Sequence, residues 1–256
     1  MSVERYFRVR AGSSAAWTRQ EGEALRLLDG EPWADPRERA ETLPLAEASL
    51  LAPAAPSKIV AVGRNYAGHA AERGKAVPKE PLLFFKPPSS LIGPGEAIRR
   101  PAWVGRVDHE AEVGIVIGRE AARLPGPEAA LAHVFGATCV NDVTARELQE
   151  RDVQFTRAKG FDTFCPVGPC IATGLDLGRR TVVGRVNGEV RQQGSTEQLV
   201  FSVEYLVWYV SRVMTLLPGD IISTGTPSGV GPLRAGDVTE VEVEGVGTLA
   251  NPVVEG

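Results

Sequence analysis

The sequence predicts a β-rich α+β fold in which a small N-terminal β domain, residues 1–52, precedes a larger domain, residues 56–256. Three observations lead there. Short apolar runs ending in Gly or Pro recur along the chain, as strands bounded by turns do. One segment alone carries a long apolar stripe at helical spacing. A Pro/Ala-rich bridge, 51–56, separates the first runs from the rest and reads as a linker. Many strands with few helices between them argue against a doubly wound parallel sheet.

Taken in order, 6–10 alternates polar and apolar residues, and 24–28 is an apolar run that ends in a turn at Asp29 and Gly30. The larger domain opens with the apolar run 58–63. The runs 113–117, 134–140, 181–186, 220–224 and 238–246 also suit strands, and strict alternation across 240–244 marks one face in water. The helix follows Ser202. Val203, Leu206, Val207, Val210, Val213, Met214 and Leu217 form one buried stripe, Ser202 is placed to cap its start, and Pro218 with Gly219 stops it.

Composition narrows the function. The chain is 43% apolar and 23% charged, enough for a real core, and its net charge of −4 lacks the basic footprint of a nucleic-acid binder. No dense basic tract points to a membrane anchor, and Glu204 and Arg212 interrupt the most apolar long stretch, 199–217. The N-terminus is charged and has no secretory apolar core. Three cysteines (Cys139, Cys165, Cys170) without a C-x-x-C pair fit a reduced, cytoplasmic setting, not a disulfide framework or a zinc site. Phosphate-loop, dinucleotide and nucleophile-elbow motifs are absent, and Cys165 sits among apolar neighbours that suit an inert thiol.

Four places carry chemistry. Glu110 and Glu112, two apart on a strand, share one face, and Gly114 on that face leaves open space beside them. Paired carboxylates repel and need a cation or a shared proton; taken alone, the pair also fits a solvated strand edge. Asp142 ends the next strand, and three oxygen ligands without a His or Cys cluster favour magnesium, manganese or calcium over zinc. His69 and Glu72 are three apart and meet on a helix face, which suits activation of a water, though a surface pair has the same spacing. Lys159, one of only five lysines, is near enough to Asp142 in sequence to neutralise it or to meet an anionic substrate. The Gly-rich turn 224–232 could hold an anion on its N–H groups and Thr226. His109 reads as structural, and His133 as unremarkable.

In this order, these segments resemble the fumarylacetoacetate hydrolase family. The likeness runs from about residue 56 to the C-terminus, through 63–66 with His69 and Glu72, 85–87, 109–112, 141–146, 159–162, 186–194 and 217–231. It implies a mixed β-sandwich roll, a homodimer, and bound magnesium or manganese. Glu110, Glu112 and Asp142 match the family's metal ligands, Lys159 its active-site lysine, His69 and Glu72 its lid dyad, and Thr226 a substrate-binding threonine. Arg64, Tyr66, Lys86 and Gln149 lie in pocket-lining segments. Ser228 stands where many relatives have Lys.

The resemblance implies a metal-dependent enzyme acting on 2-oxo or 2-hydroxydienoate acids through an enolate held at the metal. The C-terminal segments look closest to 2-hydroxyhepta-2,4-diene-1,7-dioate isomerase/decarboxylases of aromatic catabolism. Acylpyruvate-type C–C hydrolysis or oxaloacetate decarboxylation is the alternative, and a catalytically silent binding scaffold the outside one. The expected partner is a small-molecule 2-oxo acid, with no nucleic acid and no membrane.

Overall fold

The computed structural model describes residues 2–256. Its largest sheet has twelve strands. Ten follow one path: Arg37–Pro44, Ala24–Asp29, Ser14–Glu21, Glu4–Ala11, Cys165–Thr173, Val134–Asn141, Ala111–Ile117, Ile221–Ser223, Ile59–Gly63 and Leu82–Lys86. A second sheet runs Glu189–Ser195, Thr181–Val186, Val238–Val243, Gly247–Glu255, Ile98–Arg100. A third joins Thr144–Ala145, Val107–His109 and Gly231–Pro232. Helices are short and few, so the fold is a β-rich α+β roll.

The predicted alternation decides the layers. In Glu4–Ala11, Phe7 and Val9 are buried and their neighbours less so; in Val238–Val243 the buried positions are Thr239, Val241 and Val243. The main core lies between the large sheet and the second one. Val113, Ile115, Ala137, Cys139 and Cys170 pack there with Val182, Val241, Val243 and Leu249. Val116, Val140, Val167 and Ile171 point the other way, into a second cluster closed by Trp17, Trp33 and Phe135. The central strands are therefore buried on both faces, which is why their sequences read as unbroken apolar runs.

The N-terminal strands continue the large sheet, with Glu4 opposite Thr173 and Tyr6 opposite Ile171. The bridge 51–56 is not a loose linker. Ala52, Pro53, Ala54 and Pro56 are buried, and Gly93 lies so close that a Cβ on it would be 2.5 Å from the Ala52 nitrogen. Proline and alanine here are packing residues.

The helix also departs from expectation. Ser202 caps it, accepting from the Tyr205 N–H at 3.3 Å, and Val203, Leu206, Val207 and Val210 are buried. It ends at Val213, which is 59% exposed, whereas the predicted stripe runs on to Leu217. Met214 is already extended, because Leu216 exchanges two backbone hydrogen bonds with Ala121 at 2.9 Å. A long-range pairing outcompetes the last turn of local helix. Among the described residues, no helix is long and apolar enough to cross a membrane.

Candidate active site

Glu110 occupies the break between the strands Val107–His109 and Ala111–Ile117. Its N–H donates to Asn141 Oδ1 at 3.0 Å, and its carbonyl accepts from the Asp142 N–H at 2.9 Å. This clamp brings the corner at Asn141 and Asp142 against the E-x-E pair. One carboxylate oxygen from each of Glu110, Glu112 and Asp142 lies within 4.8 Å of the others, all of them buried. Gly114 contributes differently from expectation. A Cβ there would sit 2.5 Å from Val140 Cγ2 and 2.9 Å from Thr138 Cγ2, so the neighbouring strand fills the space the glycine leaves.

Buried cations surround this cluster. Lys159 Nζ bridges Glu110 Oε2 at 2.8 Å and Asp142 Oδ2 at 2.5 Å. Arg146, 3% exposed, donates through Nη2 to Glu110 Oε1 at 2.7 Å, through Nε to Asp108 Oδ2 at 2.8 Å and through Nη1 to Gln149 at 2.6 Å. Lys86 Nζ donates to Asp142 Oδ1 and to the Lys159 carbonyl, both at 2.6 Å. Burial would raise the Glu110 carboxyl, but Lys159 and Arg146 hold it well below the usual carboxylate range. Burial alone would lower Lys159; Asp142 and Glu110 outweigh it and hold the ammonium above the usual lysine range.

Glu112 is the exception. Its Oε2 accepts from Ser223 Oγ at 2.5 Å and the Gly225 N–H at 2.9 Å, but among the described residues no cation pairs with it. Burial, with the charges of Asp142 and Glu110, pushes its carboxyl up to about 8. The Tyr66 hydroxyl, buried and without a hydrogen-bond partner among the described residues, is raised by burial and by the Glu112 charge. Three converging carboxylates, one lacking a counter-charge, fit a hard divalent cation such as magnesium or manganese.

The cluster forms one wall of a cavity of about 320 Å³. Phe84, Phe155 and Leu82 supply an apolar wall; Phe84 and Phe155 meet edge to face at 5.6 Å, and Lys159 Nζ stands 5.1 Å over the Phe84 ring. Arg64, Arg73, Lys75, Gln149 and Glu150 line the cavity too, with Arg73 and Glu150 paired at 2.6 Å. Arg64 follows the strand Ile59–Gly63 with φ of 57°, a conformation costing roughly 1–3 kcal/mol for a non-glycine residue. Asn65 holds that turn in place, donating to the carbonyls of Thr224 and Phe201 and accepting from the Phe201 N–H.

His69, on the helix Ala67–Glu72, lines the cavity while 7% exposed, and burial holds its imidazole below the usual range, in the neutral form. Its Nδ1 is 3.5 Å from Glu72 Oε2, too far for a hydrogen bond. Glu72 instead accepts from the Gly229 N–H at 3.1 and 3.2 Å. The Gly-rich turn does hold anions, but they are the protein's own: Gly225 serves Glu112 and Gly229 serves Glu72. Thr226 lines the cavity, with its hydroxyl donating to the Ala111 carbonyl at 2.9 Å and accepting from Gln192 Nε2 at 2.7 Å.

Of the expected site residues, Arg64, His69, Glu110, Glu112, Asp142, Gln149, Lys159 and Thr226 share the cavity wall. Glu72 stands behind His69. Lys86 and Tyr66 do not line the wall: Lys86 is fully buried behind Asp142, because its strand directs it into the core, and Tyr66 is buried beside Glu112. Sequence reasoning assigned no role to Arg146, although it lies four residues after Asp142, and none to Asn141, Ser223, Gln192, Phe84 or Phe155. A buried arginine has no signature in a single sequence.

Comparisons with known proteins identify the family. The fumarylacetoacetate (FAA) hydrolase C-terminal family model matches residues 58–254, and an Rv2993c-like N-terminal model matches 4–53. A 5-carboxymethyl-2-hydroxymuconate delta-isomerase from Mycobacterium smegmatis superposes with a TM-score of 0.92 at 42% identity, covering 98% of this chain and 100% of that one. A 2-hydroxyhepta-2,4-diene-1,7-dioate isomerase from Mycobacterium marinum superposes with 0.91 at 41% identity, covering 98% of each. The human mitochondrial oxaloacetate tautomerase FAHD2A is 42% identical over 225 residues, 83% of this chain and 71% of that protein. By its sequence and its fold, the chain belongs to the fumarylacetoacetate hydrolase family.

Proposed function

We propose that the protein is a divalent-metal-dependent isomerase of 2-oxo acids and their enol forms, of the 2-hydroxyhepta-2,4-diene-1,7-dioate isomerase/decarboxylase type. The observation that carries this reading is the convergence of Glu110, Glu112 and Asp142 beside Lys159 on the wall of one cavity. These carboxylates would hold magnesium or manganese, and a bound ion supplies Lewis-acid stabilisation of enolate charge. Lys159 adds a fixed positive charge at the same place, held by its two carboxylate contacts without any need to reorganise. Neutral His69 is suited to take a proton from one carbon and return it to another. Its separation from Glu72 supports such a shuttle over a carboxylate-assisted attack by water. Phe84, Phe155 and Leu82 exclude water from a diene chain, while Arg64 and Lys75 offer charge to a distal carboxylate.

A second reading is keto–enol exchange or decarboxylation of oxaloacetate, which asks the same proton chemistry of a shorter diacid. The likeness to an oxaloacetate tautomerase favours it. The test is a panel of the heptadienedioate, oxaloacetate and acylpyruvates with magnesium or manganese, followed by NMR identification of products. Metal-dependent isomerisation of the dienedioate is expected. Turnover of none of these compounds with either ion would overturn the proposal.

A further inference from the structure

The lining of the active-site cavity has two parts. Its buried part carries the acidic cluster with Lys159 and Arg146; the part in contact with solvent sets Arg64, Arg73 and Lys75 against a single carboxylate, Glu150. Arg73 and Lys75 are placed by the end of the helix Ala67–Glu72. Gly74, at φ of 60°, turns the chain left-handed there; its N–H donates to the Ala71 carbonyl and the Lys75 N–H to the Ala70 carbonyl, both at 2.9 Å. These two bonds make a Schellman closure, which a glycine completes at little cost. The backbone beneath both cations is therefore set before any ligand arrives.

The three cations are not equivalent. Arg64 Nη1 donates to the Ala76 carbonyl at 3.4 Å, and Lys75 is an exposed point charge without a planar fork. Arg73 alone of the three already holds a carboxylate. Its Nη2 meets Glu150 Oε1 at 2.6 Å, and Glu150 comes from the helix Arg146–Arg151, 77 residues along the chain. Only that one nitrogen makes the bond, so half of the fork is unused, and the Glu150 side chain is 63% exposed. An exposed pair of this kind is weak and exchanges readily for an anion that engages both nitrogens.

We propose that Arg73 is the residue that selects a dicarboxylate over a monocarboxylate 2-oxo acid, with Glu150 standing in for the distal carboxylate until substrate displaces it. The inference rests on the reading that the cavity binds 2-oxo acids beside the acidic cluster, and it adds which side chain reads the far end of the molecule. Arg73 supplies the directional contact, whereas Arg64 and Lys75 add charge around it. On binding, the guanidinium exchanges one carboxylate for another, and Glu150 turns to solvent, where its charge costs little.

The test is calorimetric titration of the magnesium-loaded protein with 2-oxoheptanedioate and, separately, with 2-oxoheptanoate. The two have the same chain length, differ in the distal carboxylate, and lack the diene that an isomerase would rearrange. The diacid should bind the parent at least tenfold more tightly. Arg73→Met should bring the diacid to the affinity of the monoacid and leave the monoacid where it was; Arg73→Lys should fall between parent and Met variant. Glu150→Gln, which removes the competing charge, should tighten the diacid by about twofold or more without moving the monoacid. Unfolding midpoints of all three variants should stay at the parent value, since the pair is exposed. Equal binding of the two acids by the parent, an Arg73→Met variant that weakens both alike or neither, or a Glu150→Gln variant that fails to tighten the diacid would each overturn the proposal. Binding of neither acid to the parent would instead refute the 2-oxo acid reading of the cavity, and this inference with it.

Discussion

Replacing Arg146 with Met removes a buried guanidinium that meets Asp108, Glu110 and Gln149 at once. Asp108, fully buried, would keep only Arg106, whose side chain is 46% exposed, and Glu110 would keep only Lys159. Breaking a buried ion pair from one side costs about 3–5 kcal/mol, because the partner stays buried without its counter-charge. For a chain of this size each kcal/mol moves the thermal midpoint by about 2–4 °C, so a fall of roughly 6–20 °C is expected. The assay is thermal and urea unfolding in EDTA, so that ion binding does not mask the loss. Arg146→Lys should fall between the two, since one ammonium cannot span Asp108 and Glu110 as the planar fork does. An Arg146→Met protein within about 1 kcal/mol of the parent, the level of an exposed pair, would refute the reasoning.

Other outcomes follow from the same geometry. In metal-free protein the raised Glu112 carboxyl binds a proton that the unfolded chain has released, so stability should fall as pH rises from 4.5 to about 8. Glu112→Gln should flatten that slope, as should saturating magnesium; urea unfolding across the pH range checks both. Gly114→Ala should cost about 1–3 kcal/mol by overpacking against Val140 and Thr138. Pairing it with Val140→Ala should give less than the summed loss, read as a double-mutant cycle in urea. His69→Gln should lower kcat by about 10²–10⁴ while magnesium affinity and the unfolding midpoint stay at parent values; unchanged kcat would remove His69 from the proton path.

Local pattern explains what was readable in advance. The E-x-E spacing, the corner at Asp142 and the Ser202 cap are all relations over a few residues, and the structure keeps each of them in place. The misreadings share one cause. Lys86 lies behind Asp142, the helix stops at Val213, and the turn's N–H groups serve Glu112 and Glu72, each because of a partner distant in sequence. Gly114 reads as space in isolation and as a packing surface once Val140 lies beside it.

By itself, then, the sequence determined the β-rich class, the strand faces and the acidic set suited to a hard cation. These depend on side-chain period and ligand chemistry, which adjacent residues carry. Only the tertiary structure decided which charges neutralise which. The bonds of Asp142 to Lys86 and Lys159 and of Glu110 to Arg146 span 56, 17 and 36 residues. Among the described residues, it left Glu112 without a cation and His109 Nε2 without a hydrogen-bond partner. Burial sets the cost of every unpaired charge, and burial exists only after distant strands have packed.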